Sequence, residues 1–279
     1  MLRIFHVSDL HFGRPAVPAH IAALEAHVER ERYDVVAVSG DLSQRARAGE
    51  FQRAAVFLRD AARVSRTIVV PGNHDVAWWK APLGIGDDAS IYDTYRKYVS
   101  PDLEPVLRVD DAPGAAGATF VGINTSQGVI PQTLTWNVRD ISIIGHVRRS
   151  QIERAAREFA AAPAGHLRVI VMHHNPVKGE LSQRHGLKHT PRVLGAFAEI
   201  GVDLVLCGHD HQEAVHAIGE TKRGTVVSTA GTVSSRSRGG RPSSANVITV
   251  TPDALDVVTL VWSAEAQDFL PGPRRTFPR

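Results

Sequence analysis

Cysteine, long apolar runs and net charge are all scarce in this chain. One cysteine, Cys207, occurs in 279 residues, which excludes an internal disulfide framework or redox pair and favours a reducing, cytoplasmic environment. No uncharged apolar run approaches the roughly eighteen residues of a membrane-spanning helix, and MLRIFHVSDLHF is not typical of a secretory signal. The formal net charge is +3, too small to predict nucleic-acid binding.

What the chain does contain is a regular alternation of apolar runs and helical patterns. Short runs rich in Val, Ile and Leu, bounded by turn residues, predict strands at 2–8, 34–39, 67–70, 118–123, 141–144, 167–172 and 202–207. Apolar residues at helical spacing predict helices at 18–32, 51–62, 91–99, 148–161 and 193–200. This alternation indicates βαβ crossovers. Beyond residue 212 only strands are predicted, at 213–218, 225–228, 246–250 and 255–262, and we expect them to complete a second sheet.

Three irregular segments leave alternatives open. Residues 78–117 form an excursion interrupted by proline and glycine, in which Trp78 and Trp79 either stack a nucleobase or pack locally. Residues 234–244, SSRSRGGRPSS, form either a solvated flexible loop or a loop that meets an anionic substrate. The same choice applies to the loop after the VMHH motif. The candidate contacts in these two loops are Arg236, Arg238 and Arg241, and Lys178, Arg184, His185 and His189.

Five motifs follow predicted strands: SDLH, SGDL, PGNHD, VMHH and CGHDH. The carboxyl ends of strands in an open α/β sheet form the edge where ligands bind. Residues far apart in sequence can therefore converge at one point. The side chains that the motifs supply for metal binding are Asp9, His11, Asp41, Asn73, His173, His209 and His211.

This set of donors is typical of a pair of hydrolytic metal ions. Oxygen and nitrogen donors suit Mn²⁺ and iron, and also Zn²⁺ or Co²⁺, whereas the absence of thiolates argues against structural zinc. Asp9 and His11 lie two residues apart and can face one side of an extended strand end, as can His209 and His211. Asp41 is the natural bridging carboxylate. A hydroxide shared by two ions about 3.5–4 Å apart would attack phosphorus in line.

Four further roles are predicted around these ligands. If Asn73 coordinates a metal, the imidazole of His74 points towards the leaving oxygen, where it acts as general acid with Asp75 orienting it. Asn73 and His74 would also contact substrate. His174 either supports a ligand or contacts substrate. Asn124 follows a strand and either reaches the site as a substrate contact or lies in a plain turn.

The ordered motifs DxH, GD, GNHD, H and GHxH, complete between residues 9 and 211, resemble those of the calcineurin-like metallophosphoesterases. The resemblance implies an α/β fold, a four-layered α/β/β/α sandwich of two mixed sheets flanked by helices. It also implies a division of the ligands between two metals, one held by Asp9, His11, Asp41 and His211 and the other by Asp41, Asn73, His173 and His209.

Within the family, the HVSDLH, MHHNP and CGHDHQ segments resemble bacterial class III cyclic nucleotide phosphodiesterases. This implies hydrolysis of a small phosphodiester such as a 3′,5′-cyclic nucleotide. We expect a single calcineurin-like domain over 1–265, and the composition of 266–279 predicts a Pro/Arg-rich tail that is either disordered or docks on a partner. The implied cofactors are two divalent ions, Mn²⁺ and/or iron. A phosphomonoesterase, a nuclease and a non-catalytic scaffold with this fold stay open as alternatives. A homodimer is compatible with the sequence, and we expect neither a nucleic-acid-binding region nor a membrane span.

Overall fold

Two six-stranded sheets organise the chain in the computed structural model, which describes residues 1–77, 90–110, 117–127, 144–183, 186–219 and 224–279. Trp78, Trp79, Arg184 and His185 lie outside these residues, as does most of the strand predicted at 141–144. No helix in the described part of the chain is long and apolar enough to cross a membrane.

The first sheet has the strand order β12-β11-β10-β1-β2-β3. Its β1, β2 and β3 are parallel, and β10, β11 and β12 continue antiparallel from β1. These strands are β1 Leu2–Val7, β2 Val35–Ser39, β3 Arg66–Val70, β10 Ser244–Val250, β11 Ala254–Ser263 and β12 Asp268–Pro278. The helices that contribute to its outer core are α1 Pro18–Glu31, α2 Ala48–Ala61 and α3 Asp93–Tyr98.

The second sheet has the order β4-β5-β6-β7-β9-β8. Four inner strands are parallel, and β4 and β8 pair antiparallel at the two edges. The strands are β4 Val106–Val109, β5 Ala118–Ile123, β6 Leu167–His174, β7 Leu204–Gly208, β8 Ala214–Ile218 and β9 Thr225–Thr229. Helices α4 Arg149–Ala160 and α5 Thr190–Glu199 contribute to its outer core.

Side-chain alternation along the strands produces the four layers. Phe5 on β1 packs in the core that includes α1 and α2, whereas its neighbour Ile4 packs in the core between the two sheets. On β6, Val169 faces that central core, and Ile170 packs with α4 and α5. Residues of each strand point alternately to opposite faces, so apolar residues on both faces require a layer on each side. The predicted α/β/β/α sandwich is confirmed.

Two expectations about the C-terminal part of the chain were wrong. Of the strands after residue 212, only β8 and β9 belong to the second sheet, whereas β10 and β11 join the first beside β1. The apolar pattern identifies strands but not their partners. Residues 268–278, expected to belong to a tail, form strand β12. Pro271 and Pro273 are tolerated there because β12 is an edge strand, and Phe269 anchors it against the Trp262 ring.

The excursion after β3 has regular structure in its described part, 90–110. A 3-10 helix over Ser90–Tyr92 leads into α3, and Val106–Val109 form the edge strand β4. Helix α3 was predicted over 91–99, whereas β4 was missed. Four residues with two prolines close before them carry too little alternation to indicate a strand.

Candidate metal centre

The predicted metal ligands converge where the carboxyl ends of strands from both sheets meet. The His209 amide donates to Asp9 Oδ2 at 2.9 Å, and His173 Nδ1 donates to the Ser39 carbonyl at 2.8 Å, so hydrogen bonds join the sheets at this point. All the ligand side chains except those of Asn73 and His209 are buried. The converging residues are Asp9 and His11 after β1, Asp41 after β2, Asn73 after β3, His173 in β6, and His209 and His211 after β7.

Five of these residues have a left-handed backbone conformation. Their φ angles are 55° for Asp9, 46° for His11, 51° for Asp41, 72° for His209 and 55° for His211. The expectation that the paired motifs lie at extended strand ends is therefore wrong. At these five ligands the backbone departs from the extended conformation, and both members of each pair nevertheless lie at the centre. Such conformations are unfavourable for residues with a Cβ atom and concentrate at functional sites.

Two glycines of the motifs make this arrangement sterically feasible. Gly40 has a φ of +89°, and a Cβ atom there would lie 2.7 Å from His173 Nδ1. A Cβ atom on Gly72 would overlap Asp41 Oδ1 and the Asp41 amide. Both positions therefore require glycine, because the loops after β2 and β3 are in direct contact.

One group of donor atoms combines two carboxylates with two imidazoles. Asp9 Oδ1 lies 3.1 Å from His211 Nε2 and 3.7 Å from His11 Nε2. The two imidazole nitrogens are 3.0 Å apart, and Asp41 Oδ2 is 3.7 Å from His11 Nε2. The ligand atoms of these four residues all lie within 4.8 Å of one another.

A second group lies beside the first and contains the Asn73 amide. Asn73 Oδ1 lies 3.0 Å from both His173 Nε2 and His209 Nδ1. These two nitrogens are 3.3 Å apart, and Asp41 Oδ2 is 3.4 Å from His173 Nε2. The same Asp41 oxygen therefore faces an imidazole of each group. The other oxygen, Oδ1, accepts the His74 amide at 2.8 Å.

Backbone carbonyls orient two of the imidazole rings. His173 Nδ1 donates to the Ser39 carbonyl, and His211 Nδ1 donates to the Arg236 carbonyl at 2.9 Å. In each ring Nε2 then points into the group of donor atoms. Hydrogen bonding of the distal ring nitrogen is how metal-binding histidines are usually oriented.

Electrostatics pair the buried carboxylates with histidines. Burial acts to lower the pKa of His173, but Asp41 outweighs it and raises that pKa to about 9. Asp9 likewise outweighs burial and raises the pKa of His211. Burial opposes ionisation of both carboxyl groups, yet the histidines hold the pKa of Asp9 and of Asp41 below their ordinary values. The site thus stabilises positive charge, here as protons on imidazole.

The residues present fit two divalent cations. Around a metal with nitrogen and oxygen ligands at about 2.0–2.2 Å, neighbouring donor atoms lie roughly 3 Å apart, and the separations in both groups are of this size. Asp9 Oδ1 is buried, points into the first group and lacks a hydrogen bond of good geometry. The donors are carboxylate, amide and imidazole, which accept Mn²⁺, iron, Zn²⁺ or Co²⁺.

His74 lies at the edge of the first group without belonging to it. Its ring meets the His11 ring edge-on, with centroids 4.9 Å apart. His74 Nδ1 donates to the Gln44 carbonyl at 2.9 Å, which leaves Nε2 as the acceptor of a bond from Arg236 at 3.1 Å. Burial lowers the pKa of His74, and Asp41 opposes this shift only in part.

The predicted contact between Asp75 and the His74 imidazole is corrected by the structure. The Asp75 carboxylate accepts the Leu42, Ser43 and Gly72 amides, at 3.1, 2.7 and 2.9 Å. Burial raises its pKa to about 7. Asp75 therefore ties the loops after β2 and β3 together. The acceptor that orients His74 is a carbonyl one loop away, and no side-chain pattern in the sequence indicates it.

The two remaining substrate candidates occupy different places. The His174 ring lies 4.5 Å from the His209 ring, and its Nδ1 is 2.7 Å from Thr125 Oγ1. The ligand atoms of His173, His174 and His209 lie within 4.8 Å of one another, and the pairing of β6 with β7 shifts in register before residue 174. Asn124 instead exchanges hydrogen bonds with Tyr92 and lines a separate cavity of about 450 Å³. The structure does not bring Asn124 to the metal ligands.

The sequence profile of the Calcineurin-like phosphoesterase family matches residues 2–213. The chain belongs to this family. The calcineurin-like phosphoesterases use a dinuclear metal site, and the clustered Asp and His side chains are the candidate for it here. Family membership indicates a metal-dependent phosphoester hydrolase. None of the curated proteins matches the chain in sequence.

The solved structures that share the fold of this calcineurin-like phosphoesterase include a plant phosphatase and a protein of Plasmodium. A purple acid phosphatase from yellow lupin (Lupinus luteus) aligns with a TM-score of 0.69 and 13% identity, over 100% of this chain and 54% of the phosphatase chain. The chain thus spans about half the length of that protein. GAP50 of Plasmodium, named as the anchor in the inner membrane complex, aligns with a TM-score of 0.61 and 13% identity, over 99% of this chain and 88% of GAP50.

Proposed function

We propose that the protein is a dinuclear metal-dependent phosphodiesterase, with a small phosphodiester such as a 3′,5′-cyclic nucleotide as substrate. The observation that carries the proposal is the pair of donor groups that share one carboxylate oxygen. In this proposal the first metal is held by Asp9, His11, Asp41 and His211, and the second by Asp41, Asn73, His173 and His209.

The chemistry that two such cations supply when bound is Lewis acidity towards phosphoryl oxygens and a nucleophilic water near neutral pH. The residues of the chain then position the ester and move a proton. The His74 ring lies against the His11 ring at the edge of the ligand cluster, where its Nε2 would hold a proton for the leaving oxygen. The Gln44 carbonyl fixes the ring for this role. Asp75 acts as a positioning residue through the loop amides that it binds.

The choice of a diester rests on the motif segments, and the position of His74 is consistent with it. A cyclic nucleotide loses an alkoxide, which departs readily only with a proton, so a histidine outside the ligand set suits it, as it would suit an alkyl monoester. The resemblance of the HVSDLH, MHHNP and CGHDHQ segments to class III enzymes supports the same choice. A nuclease is expected to have a track of basic residues along which nucleic acid binds. The net charge of this chain, +3, does not indicate such a track.

Two other functions compete with this proposal. The name of the lupin protein, an acid phosphatase, favours a phosphomonoesterase. The name of GAP50, an anchor, favours a scaffold. Against the scaffold stands the retention of every donor, since a protein that no longer binds metal has no need for seven converging ligands, five of them in left-handed backbone conformations.

A substrate screen on Mn²⁺-reconstituted protein distinguishes these functions. The substrates are cyclic AMP, bis-p-nitrophenyl phosphate, p-nitrophenyl phosphate and single-stranded DNA, compared by kcat/KM. We expect the two small diesters to be preferred. Preference for the monoester would overturn the diesterase proposal, and loss of all hydrolysis with two metals verified as bound would favour the scaffold.

A further inference from the structure

A well-anchored loop from residue 231 to 244 borders the metal centre. Val233 and Ser234 are buried, Thr232 Oγ1 donates to the Asp9 carbonyl at 2.7 Å, and the Ser235 amide donates to the Pro15 carbonyl at 2.9 Å. The loop lies beyond residue 213, where the family profile ends. Its side chains are therefore features of this chain in addition to the family motifs.

Arg236 connects this loop to the centre in two ways. Its carbonyl accepts His211 Nδ1, as described above, and its guanidinium extends over the neighbouring histidine. Arg236 Nη1 donates to His74 Nε2 at 3.1 Å and to Gln44 Oε1 at 3.2 Å. A permanent cation thus lies in contact with the predicted general acid, on an exposed residue.

The three arginines of the loop differ in their partners. Arg241 makes ion pairs with Glu213 at 3.0 Å and Glu180 at 3.2 Å, and Arg238 Nε lies 3.9 Å from Asp210 Oδ1. In the described part of the chain, no carboxylate lies within ion-pair distance of Arg236, whose hydrogen-bond acceptors are uncharged. Of these three arginines, only Arg236 combines proximity to the centre with a guanidinium that no carboxylate of the described residues neutralises.

We infer that Arg236 binds the non-bridging phosphoryl oxygens of the substrate; this inference rests on the proposed function and assigns a substrate-binding residue to it. Hydrogen bonds from guanidinium to phosphate are charge-assisted and stronger than those to neutral acceptors. A phosphate would therefore take the donors now directed at Gln44 and His74. The exchange leaves His74 Nε2 facing the ester oxygens, and the planar fork of the guanidinium fixes the orientation of the phosphoryl group.

Orthophosphate binding to the Mn²⁺-loaded protein tests this assignment independently of turnover. We expect Arg236→Gln to raise the phosphate Kd by about tenfold or more, the loss typical of a charge-assisted hydrogen bond. Arg236→Lys should recover part of the affinity, since it keeps the charge but not the fork. The matched control is Arg238→Gln, in the same loop, which should change the Kd by less than about twofold. Isothermal titration calorimetry gives these values.

The outcomes separate the inference from the proposed function. Bound Mn²⁺, measured on each variant, should not change, because the Arg236 carbonyl survives the substitution. Unaltered phosphate affinity in Arg236→Gln, or an equal loss in Arg238→Gln, would overturn the inference, as would loss of Mn²⁺ from Arg236→Gln. If the wild type hydrolyses no diester but its phosphate affinity depends on Arg236, the proposed function fails and the inference stands.

Discussion

The two halves of the candidate metal centre differ in charge although they share Asp41. The first half has a second carboxylate, Asp9, whereas the second half has the neutral amide of Asn73 in the corresponding role. Each half also has two imidazoles, and all the donor separations are similar. Since geometry is nearly matched, the difference is electrostatic. We expect the first half to bind the more highly charged or more tightly held cation, and the second half to bind the cation that exchanges.

Replacing the shared ligand should have the largest effect, because it affects both halves. Asp41→Asn removes the anion whose Oδ2 faces His11 on one side and His173 on the other. The amide keeps the volume and the contact with the His74 backbone. We expect both ions to be lost at micromolar metal and turnover to fall by at least about 10³-fold. Metal analysis with a diester assay checks this, and retention of two ions would show that Asp41 is not the bridge.

His74→Ala should have the next largest effect and should leave both halves occupied. A missing general acid costs about 10²–10⁴-fold for a substrate with an alkoxide leaving group. The loss should be small for bis-p-nitrophenyl phosphate, because p-nitrophenolate leaves without a proton. Since burial lowers the pKa of His74, the wild-type rate should decline as pH rises through a value below about 6.5. A variant as active on cyclic AMP as the wild type would contradict the assignment.

The charge difference between the halves predicts a selective loss in Asn73→Ala. The variant should keep one ion and bind the other at least about tenfold more weakly. Asn73→Asp adds a carboxylate to the second half. The two sites of this variant should therefore bind Mn²⁺ with similar affinities. A Mn²⁺ titration of the wild type, monitored by calorimetry or electron paramagnetic resonance, should resolve one tight and one weak site. Equal weakening of both sites in Asn73→Ala would refute the asymmetry.

Much of this centre could be predicted from the sequence because its ligands are side chains in ordered motifs after apolar strands. Asp9, His173 and His209 could be placed at the carboxyl ends of strands without coordinates. The left-handed backbone at Asp9 and His209 could not be predicted. Local sequence propensity favours extended structure after a strand, and tertiary contacts override that propensity. The four layers were implied by the family resemblance, and the apolar residues on both faces of the strands account for them.

The interactions that sequence reasoning missed involve backbone atoms or unpatterned loops. Asp75 binds amides, and the partner of His74 is the Gln44 carbonyl, which any residue at position 44 would supply. Arg236 was one of three candidate contacts in a Ser/Gly/Arg segment whose composition indicates flexibility. The sequence could not separate it from Arg238 and Arg241, because anchors such as Thr232 leave no pattern. Strand β12 was missed because proline breaks the expected alternation, and only its edge position permits it.

The smallest predicted effect concerns the stability of the metal-free protein against pH. Asp41 raises the pKa of His173 to about 9, so its protonated form stabilises the fold below the ordinary imidazole pKa of about 6.5, and this contribution is lost as pH rises through 9. The pKa of Asp41 is lowered instead, so the contribution of this carboxylate to stability is lost only when pH falls into the acidic range. The apo Tm should therefore fall by roughly 5 °C or more between these pH values, and less in Asp41→Asn. With metal bound, cations replace the proton and the decline should vanish. An equal decline with and without Mn²⁺ would show that His173 carries no such proton.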